Sequence, residues 1–235
     1  MASSLRAALA LLLLAAPAAA QSTFDLLIRD GLVVDGSGAR GFLADVGIRD
    51  GWIVRVGHLS RATAERTIDA SGLVVAPGFI DIHNHSDFTL LKEPRCESMI
   101  RQGVTTMVLG EGGSAGPVRP GEREWQTLGG YFRHVEDRGV ATNIASYVKI
   151  TSMNAEKTGV RDRGLIKEGF RADVTLFNPR TVIDRATFEK PHQYPEGIPY
   201  VVVNGVLVLD EGHHTGELPG QVIRGPGYRP CEPEG

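Results

Sequence analysis

Two cysteines in 235 residues, Cys96 and Cys231, are too few and too far apart for a disulfide framework. With no Cys-x-x-Cys spacing they form neither a metal knuckle nor a redox pair. Free thiols are expected, with a single bridge in an oxidising compartment as the alternative. Basic excess is also missing: 25 Lys and Arg stand against 28 Asp and Glu, a net charge of -3. No Lys/Arg stripe interleaves with aromatics, which argues against nucleic acid as a partner. The apolar run from Ala7 to Ala20 falls short of the ~20 residues that span a bilayer. What is present there, "MASSLRAALALLLLAAPAAAQS", has one Arg, an Ala/Leu stretch and small residues up to Ala20. That pattern predicts a signal peptide (residues 1–20) cleaved after Ala20, and export to the periplasm or the exterior, with an uncleaved anchor as the alternative.

The remaining ~215 residues suffice for one large or two small domains. From Asp25 to Ala76 the text reads as short strands with tight turns, "DLLIRDGLVVDG" and "ADVGIRDGWIVRVG". Asp30-Gly31 and Asp50-Gly51 are expected to be two-residue hairpin turns, because both positions of a type I′ turn need positive φ. Asn204-Gly205 in "YVVVNGVLVLDEG" carries the same signal at the other end. "GSGARG" at Gly36, Gly38 and Gly41 fits the phosphate-cradling G-x-G-x-x-G. That fingerprint requires a helix next, and "FLADVGI" is strand-like, so a hairpin loop is expected.

The middle has another rhythm. "FIDIH" is a short apolar strand, "EPRCESMIRQG" a helix between Pro94 and Gly103, and "VTTMVLG" a second strand. "EREWQTLGGYFRHVEDRG" is a longer amphipathic helix and "VATNIASYV" a third strand. Strand and helix alternating in this way begin a parallel α/β layer.

Chemistry concentrates in "GFIDIHNHSD". On a strand alternate side chains share a face, so His83 and His85 point one way and Asn84 the other. They sit at the C-terminal end of their strand, where parallel α/β architectures gather active sites. Neutral imidazoles there suit Zn²⁺ or a similar divalent ion, and two exposed turn histidines are the alternative. Glu111 follows the second strand and reaches the same mouth if the strands are parallel neighbours. It is either a further ligand or a cap on a solvated glycine loop. His134, inside the helical pattern, is expected at the surface, and His213-His214 at a polar hairpin end. Asp81 lies deeper on the histidine face, and Asp87 is a loop carboxylate.

"DLLIRDGLVVDGSG", "IDASGLVVAPGFIDIHNHSD", "RQGVTTMVLGEGGS" and "DRGLIKEGFRADVTLFNPRTVID" together resemble the amidohydrolase superfamily, and within it the N-acyl-D-amino-acid deacylases, or D-aminoacylases. The resemblance implies a (β/α)₈ metal-dependent hydrolase barrel with a small β-sandwich assembled from both chain ends. It implies zinc on the pair matching His83 and His85, with Glu111 as a further ligand in a Glu-Gly-Gly context where the family's best-known members have Asn-Cys-Gly. The implied reaction is hydrolysis of the amide of small N-acyl amino acids, with an Asp from the last barrel strand as general base.

Length contradicts a closed barrel, which needs ~250 residues and at least ~200. About 80 separate Gly78 from Thr158, room for two or three strand-helix units of ~30 residues. "VATNIASYV" and "KITSMNAEKTGVRDRGLIKEG" fuse near Val148-Lys149, and the later histidines and the general-base Asp have no counterpart. The expected fold is α/β: an incomplete barrel remnant over residues 78–158, and a composite sandwich from residues 22–77 and 159–235. The expected function is that of a truncated deacylase-like hydrolase. A non-catalytic β-sandwich binding protein is the alternative, and a small hydrolase built across a homodimer a further one. An open barrel edge would invite self-association.

Overall fold

The computed structural model describes residues 23–110, 115, 121, 123–146, 162–185, 190 and 193–224. The leader, Glu111, the Val148-Lys149 junction, His192 and Cys231 lie outside them. Among the described residues no helix is long and apolar enough to cross a membrane.

The first strand, β1 (Thr23–Val33), runs straight through Asp30-Gly31. The expected hairpin turn there is instead a bulge. Asp30 has φ 57° and the register with β2 (Phe42–Arg49) slips between Ile28 and Gly31. Two contacts explain the choice. The Asp45 carboxylate accepts the Asp30 N–H at 2.9 Å and the Leu59 N–H at 2.7 Å. A side chain at Gly31 would run into Val75 of β5 (Val74–Pro77), so glycine lets the two strands meet. The other two turns are as expected. Asp50-Gly51 (φ 52° and 78°) joins β2 to β3 (Trp52–Gly57), and Asn204-Gly205 (φ 49° and 84°) joins β10 (Tyr200–Val203) to β11 (Val206–Asp210). The "GSGARG" loop closes the β1–β2 hairpin and leads into strand, with Asp35 accepting from the Ser37 amide and hydroxyl.

Strands from both ends of the chain share one nine-stranded sheet. β5 pairs with β1 in parallel and with β9 (Val174–Phe177) antiparallel, and β9 continues to β10, β11 and β12 (His213–His214). β4 (Thr63–Asp69) pairs with the first half of β1. A second sheet holds β6 (Phe79–Asp81), β7 (Val104–Leu109) and β8 (Asn143–Ser146), all parallel. Short α1 (Glu97–Ile100) lies between β6 and β7, and α2 (Leu128–Arg138) between β7 and β8. Both helices are shorter than the patterning predicts. α1 cannot start before Cys96, which is left-handed at φ 45°. α2 starts at the Thr127 cap, whose hydroxyl accepts the Gly130 N–H at 3.1 Å. Upstream, the buried Trp125 indole donates to the Ala115 carbonyl at 2.8 Å, which draws that stretch into a loop.

β10 is the wall between the two layers. Val202 packs with the nine-stranded sheet's own core, around Ile28, Val46 and Leu176. Val201 and Val203 face the core built on Met107, Ile144, Tyr131 and Ile100. All three valines are fully buried, each worth roughly 1.5–3 kcal/mol relative to exposure. The outer edge of β8 is covered too: residues 219–223 run parallel to 140–144, with Ile144 N–H on the Gln221 carbonyl at 2.8 Å and Ile223 N–H on the Ile144 carbonyl at 2.7 Å.

Candidate functional site

β6 stops at Asp81, so His83 and His85 sit on the turn after the strand and not on the strand itself. Their shared direction nevertheless holds, because Asp81 ties the turn. One carboxylate oxygen accepts the His83 N–H at 3.0 Å and the other the Asn84 side-chain amide at 2.7 Å. Asn84, 4% exposed, in turn accepts the Ser86 N–H at 2.8 Å. With Asn84 turned inward, both imidazoles face out on one side, Nε2 to Nε2 at 3.4 Å and the rings edge to face at 5.2 Å between centroids. Two nitrogens bound at 2.0–2.1 Å to one tetrahedral ion lie about 3.4 Å apart. The pair therefore fits one edge of a zinc coordination sphere as it stands. Among the described residues no group of three His, Cys, Asp or Glu forms around an ion position. Glu111 follows Gly110, the residue just after β7.

Asp87 has a larger part than a loop carboxylate. It is 3% exposed. Its Oδ2 accepts the Gly110 N–H at 3.3 Å, and its carbonyl accepts the hydroxyl of fully buried Tyr131 at 2.7 Å. Burial pushes its carboxyl above the usual range, against the pull of the Gly110 amide and of His85. Spacing places Asp81 deeper on the histidine face and Asn84 opposite it; nothing in it marks the turn that the two tie or the burial of Asp87.

The remaining histidines stand elsewhere. His134 is half-buried, against expectation: it packs on Trp125 at 4.8 Å between ring centroids and places Nδ1 3.2 Å from Glu124. His213-His214 forms strand β12 at the hairpin end. His214 Nδ1 accepts the Gly216 N–H at 2.9 Å while Nε2 lies 2.8 Å from the Arg95 carbonyl, which selects the neutral Nε2–H tautomer. Burial holds this imidazole below its ordinary value, with the Arg95 carbonyl and Glu97 pulling upward and Arg95 and Arg101 downward. A lowered folded value means that folding favours the neutral ring. Its contribution to stability is complete above the ordinary imidazole value of about 6.5 and is lost as pH falls through the lower folded value. The wild-type melting temperature is thus expected to drop further between pH 7.5 and pH 5 than that of His214→Gln. Equal drops would contradict this.

Cys96 is free and buried, and burial raises its thiol.

A parallel strand–helix layer thus carries paired imidazoles at the C-terminal mouth of its first strand, beside a sheet drawn from both chain ends. The amidohydrolase family matches residues 66–146. An N-acyl-D-glutamate deacylase of Alcaligenes xylosoxydans xylosoxydans is 45% identical over 100 residues, 43% of this chain and 20% of that protein. A D-aminoacylase of the same organism is 50% identical over 90 residues, 38% of this chain and 19% of that protein. Among solved structures, N-acyl-D-glutamate deacylase from Bordetella bronchiseptica, complexed with zinc and a phosphonate inhibitor, superposes with a TM-score of 0.74 at 17% identity. That superposition spans 86% of this chain and 100% of that one. A D-aminoacylase structure gives 0.73 at 18% identity, spanning 85% and 99%. Over residues 66–146 the chain is thus similar to the amidohydrolase family, and the curated relatives it matches include N-acyl-D-amino-acid deacylases. By sequence it spans 20% and 19% of the length of these two curated relatives.

Proposed function

We propose that the chain is the metal-binding end of an amidohydrolase. In this reading His83 and His85 hold a divalent ion, zinc by preference, with Glu111 as a further ligand. The inherited reaction class is hydrolysis of the amide of small N-acyl-D-amino acids. The 3.4 Å Nε2–Nε2 separation carries this reading. When bound, such an ion acidifies water and polarises a carbonyl. The chain's own residues hold two imidazole nitrogens on one side of a turn whose geometry Asp81 and Asn84 set. The general-base Asp of the family has no counterpart in this sequence, so metal binding is the first claim and turnover the second.

The parallel strands β6 to β8, with a helix in each crossover, support reading residues 78–158 as the first units of a (β/α) barrel. The β5–β9 pairing supports residues 22–77 and 159–235 as the two halves of one composite β-domain. The leader pattern over residues 1–20 supports export to the periplasm or exterior.

Metal content by mass spectrometry, before and after His83→Asn/His85→Asn, tests the reading. About one zinc per chain is expected in the wild type and none in the variant; uptake indifferent to the substitution would sink it. Hydrolysis of N-acetyl-D-glutamate by the zinc-loaded wild type would extend the claim to catalysis, and its absence would confine the claim to metal binding.

A second reading, a non-catalytic binding protein that associates with itself, is favoured by the apolar surface beside β6. Phe79 is 43% exposed, Ile82 55% and Phe88 38%, and β6 is the outer strand of its sheet. Light scattering on the same samples decides it: a monomer at all concentrations removes this reading.

A further inference from the structure

The turn that holds the histidines together is tied to the second strand at its start, where Asp81 of β6 pairs with Met107 of β7. Among the described residues the side chains of Asp81 and Asn84 bond only within the stretch 81–86, apart from a long Asn84 contact to the Met99 sulfur at 3.9 Å. Asp87 makes a further cross-connection. Its side chain crosses to Gly110 at the end of β7, and its main chain is held by Tyr131 of α2. One residue, two positions after His85, thus links the histidine loop, the exit of the second strand at Gly110 and the second helix.

We propose that Asp87 is a positioning residue for the metal site, setting the distance between the His83/His85 pair and the end of β7 at Gly110. The inference rests on the metal-binding reading above for its functional consequence. Its geometric content stands apart from it.

The burial of Asp87 fits this role better than a purely structural one. A carboxylate 3% exposed is costly, and its Oδ1 has no hydrogen-bond partner among the described residues. For holding Gly110 alone, a neutral acceptor would serve at lower cost. A carboxylate close enough to His85 to feel its charge adds negative charge near where a cation is to be bound, and outer groups of this kind typically change metal affinity by 10–100-fold.

Two substitutions separate the parts of the proposal. Asp87→Asn keeps an acceptor for the Gly110 N–H and removes the charge, and Asp87→Ala removes both. Zinc affinity is read by competition with a chromophoric chelator. Hydrogen exchange of the Gly110 amide and the imidazole NMR resonances of His83 and His85 are read in metal-free protein. Asp87→Ala is expected to lower zinc affinity at least ten-fold, to accelerate Gly110 exchange and to shift both imidazoles. Asp87→Asn should restore Gly110 protection and recover part of the affinity. Wild-type zinc affinity in a folded Asp87→Ala protein, or unchanged Gly110 protection in it, overturns the proposal. Should Asp87→Ala fail to fold, unchanged zinc affinity in Asp87→Asn overturns the role of the charge. If the wild type takes up no zinc while Asp87→Ala still loosens Gly110 and shifts the imidazoles, the metal reading falls and the positioning role stands.

Discussion

Arg163→Met is expected to destabilise the protein by about 3–5 kcal/mol, the usual consequence of leaving a buried partner charge uncompensated. Arg163 has a 4% exposed side chain whose guanidinium donates to Asp173 and, at 2.8 Å, to Asn204. Asp173 also takes the Asn204 backbone N–H at 2.7 Å and the Asn143 side-chain amide at 3.1 Å. Asn204 donates to Asn143 at 2.7 Å and to the Pro219 carbonyl at 2.8 Å. Burial raises the Asp173 carboxyl against the pull of Arg163 and these donors, so the ionised form depends on its cation. Equilibrium urea unfolding measures the loss. The double variant Arg163→Met/Asp173→Leu should recover much of it, since replacing both members of a buried pair is often neutral or better. A loss below about 1 kcal/mol in the single variant would show that the pair is solvated in practice.

Gly220→Val is expected to cost about 2–4 kcal/mol, with Gly220→Ala in between, because it acts on the strip that covers β8. The Gly220 N–H donates to the Val140 carbonyl at 2.7 Å. A side chain at this position would meet the carbonyl oxygens of Val140 and Thr142. Backbone cannot yield as a flexible side chain can, so the strip must lift, with loss of the Gln221 and Ile223 bonds beside it. The Arg224–Glu136 ion pair at 2.7 Å is surface-exposed in part and too weak to hold it. A lower melting temperature with added light scattering above the transition is the expected reading, as a bared parallel edge is an aggregation site. A melting curve matching the wild type would show that the strip contributes nothing.

How much was legible in the sequence depended on the range of the interaction responsible. Asp50-Gly51 and Asn204-Gly205 read correctly because a two-residue turn is decided by its own dihedral preferences. Asp30-Gly31 has the same dipeptide and became a bulge because Asp45 accepts the Asp30 N–H and Val75 packs against Gly31, both from other strands. The parallel order of β6, β7 and β8 followed from alternating patterns, while both helix starts were misplaced by a cap at Thr127, a left-handed Cys96 and the indole bond of Trp125. In the site, the His-x-His pair was visible from spacing, whereas its convergence comes from the turn tied by Asp81 and Asn84 and not from strand alternation. The role of Asp87 was not visible, because its burial depends on Tyr131 and Gly110. The network around Arg163 was invisible for the same reason: its members come from four separate stretches of chain.

The turn from Asp81 to Ser86 closes on hydrogen bonds made almost wholly within six residues. Closing so short a loop carries little entropic cost, so these local bonds help to preorganise the paired imidazoles. This makes the segment a transplantable clip. Placed after an edge strand in an unrelated protein, it should bring two imidazoles to the same spacing.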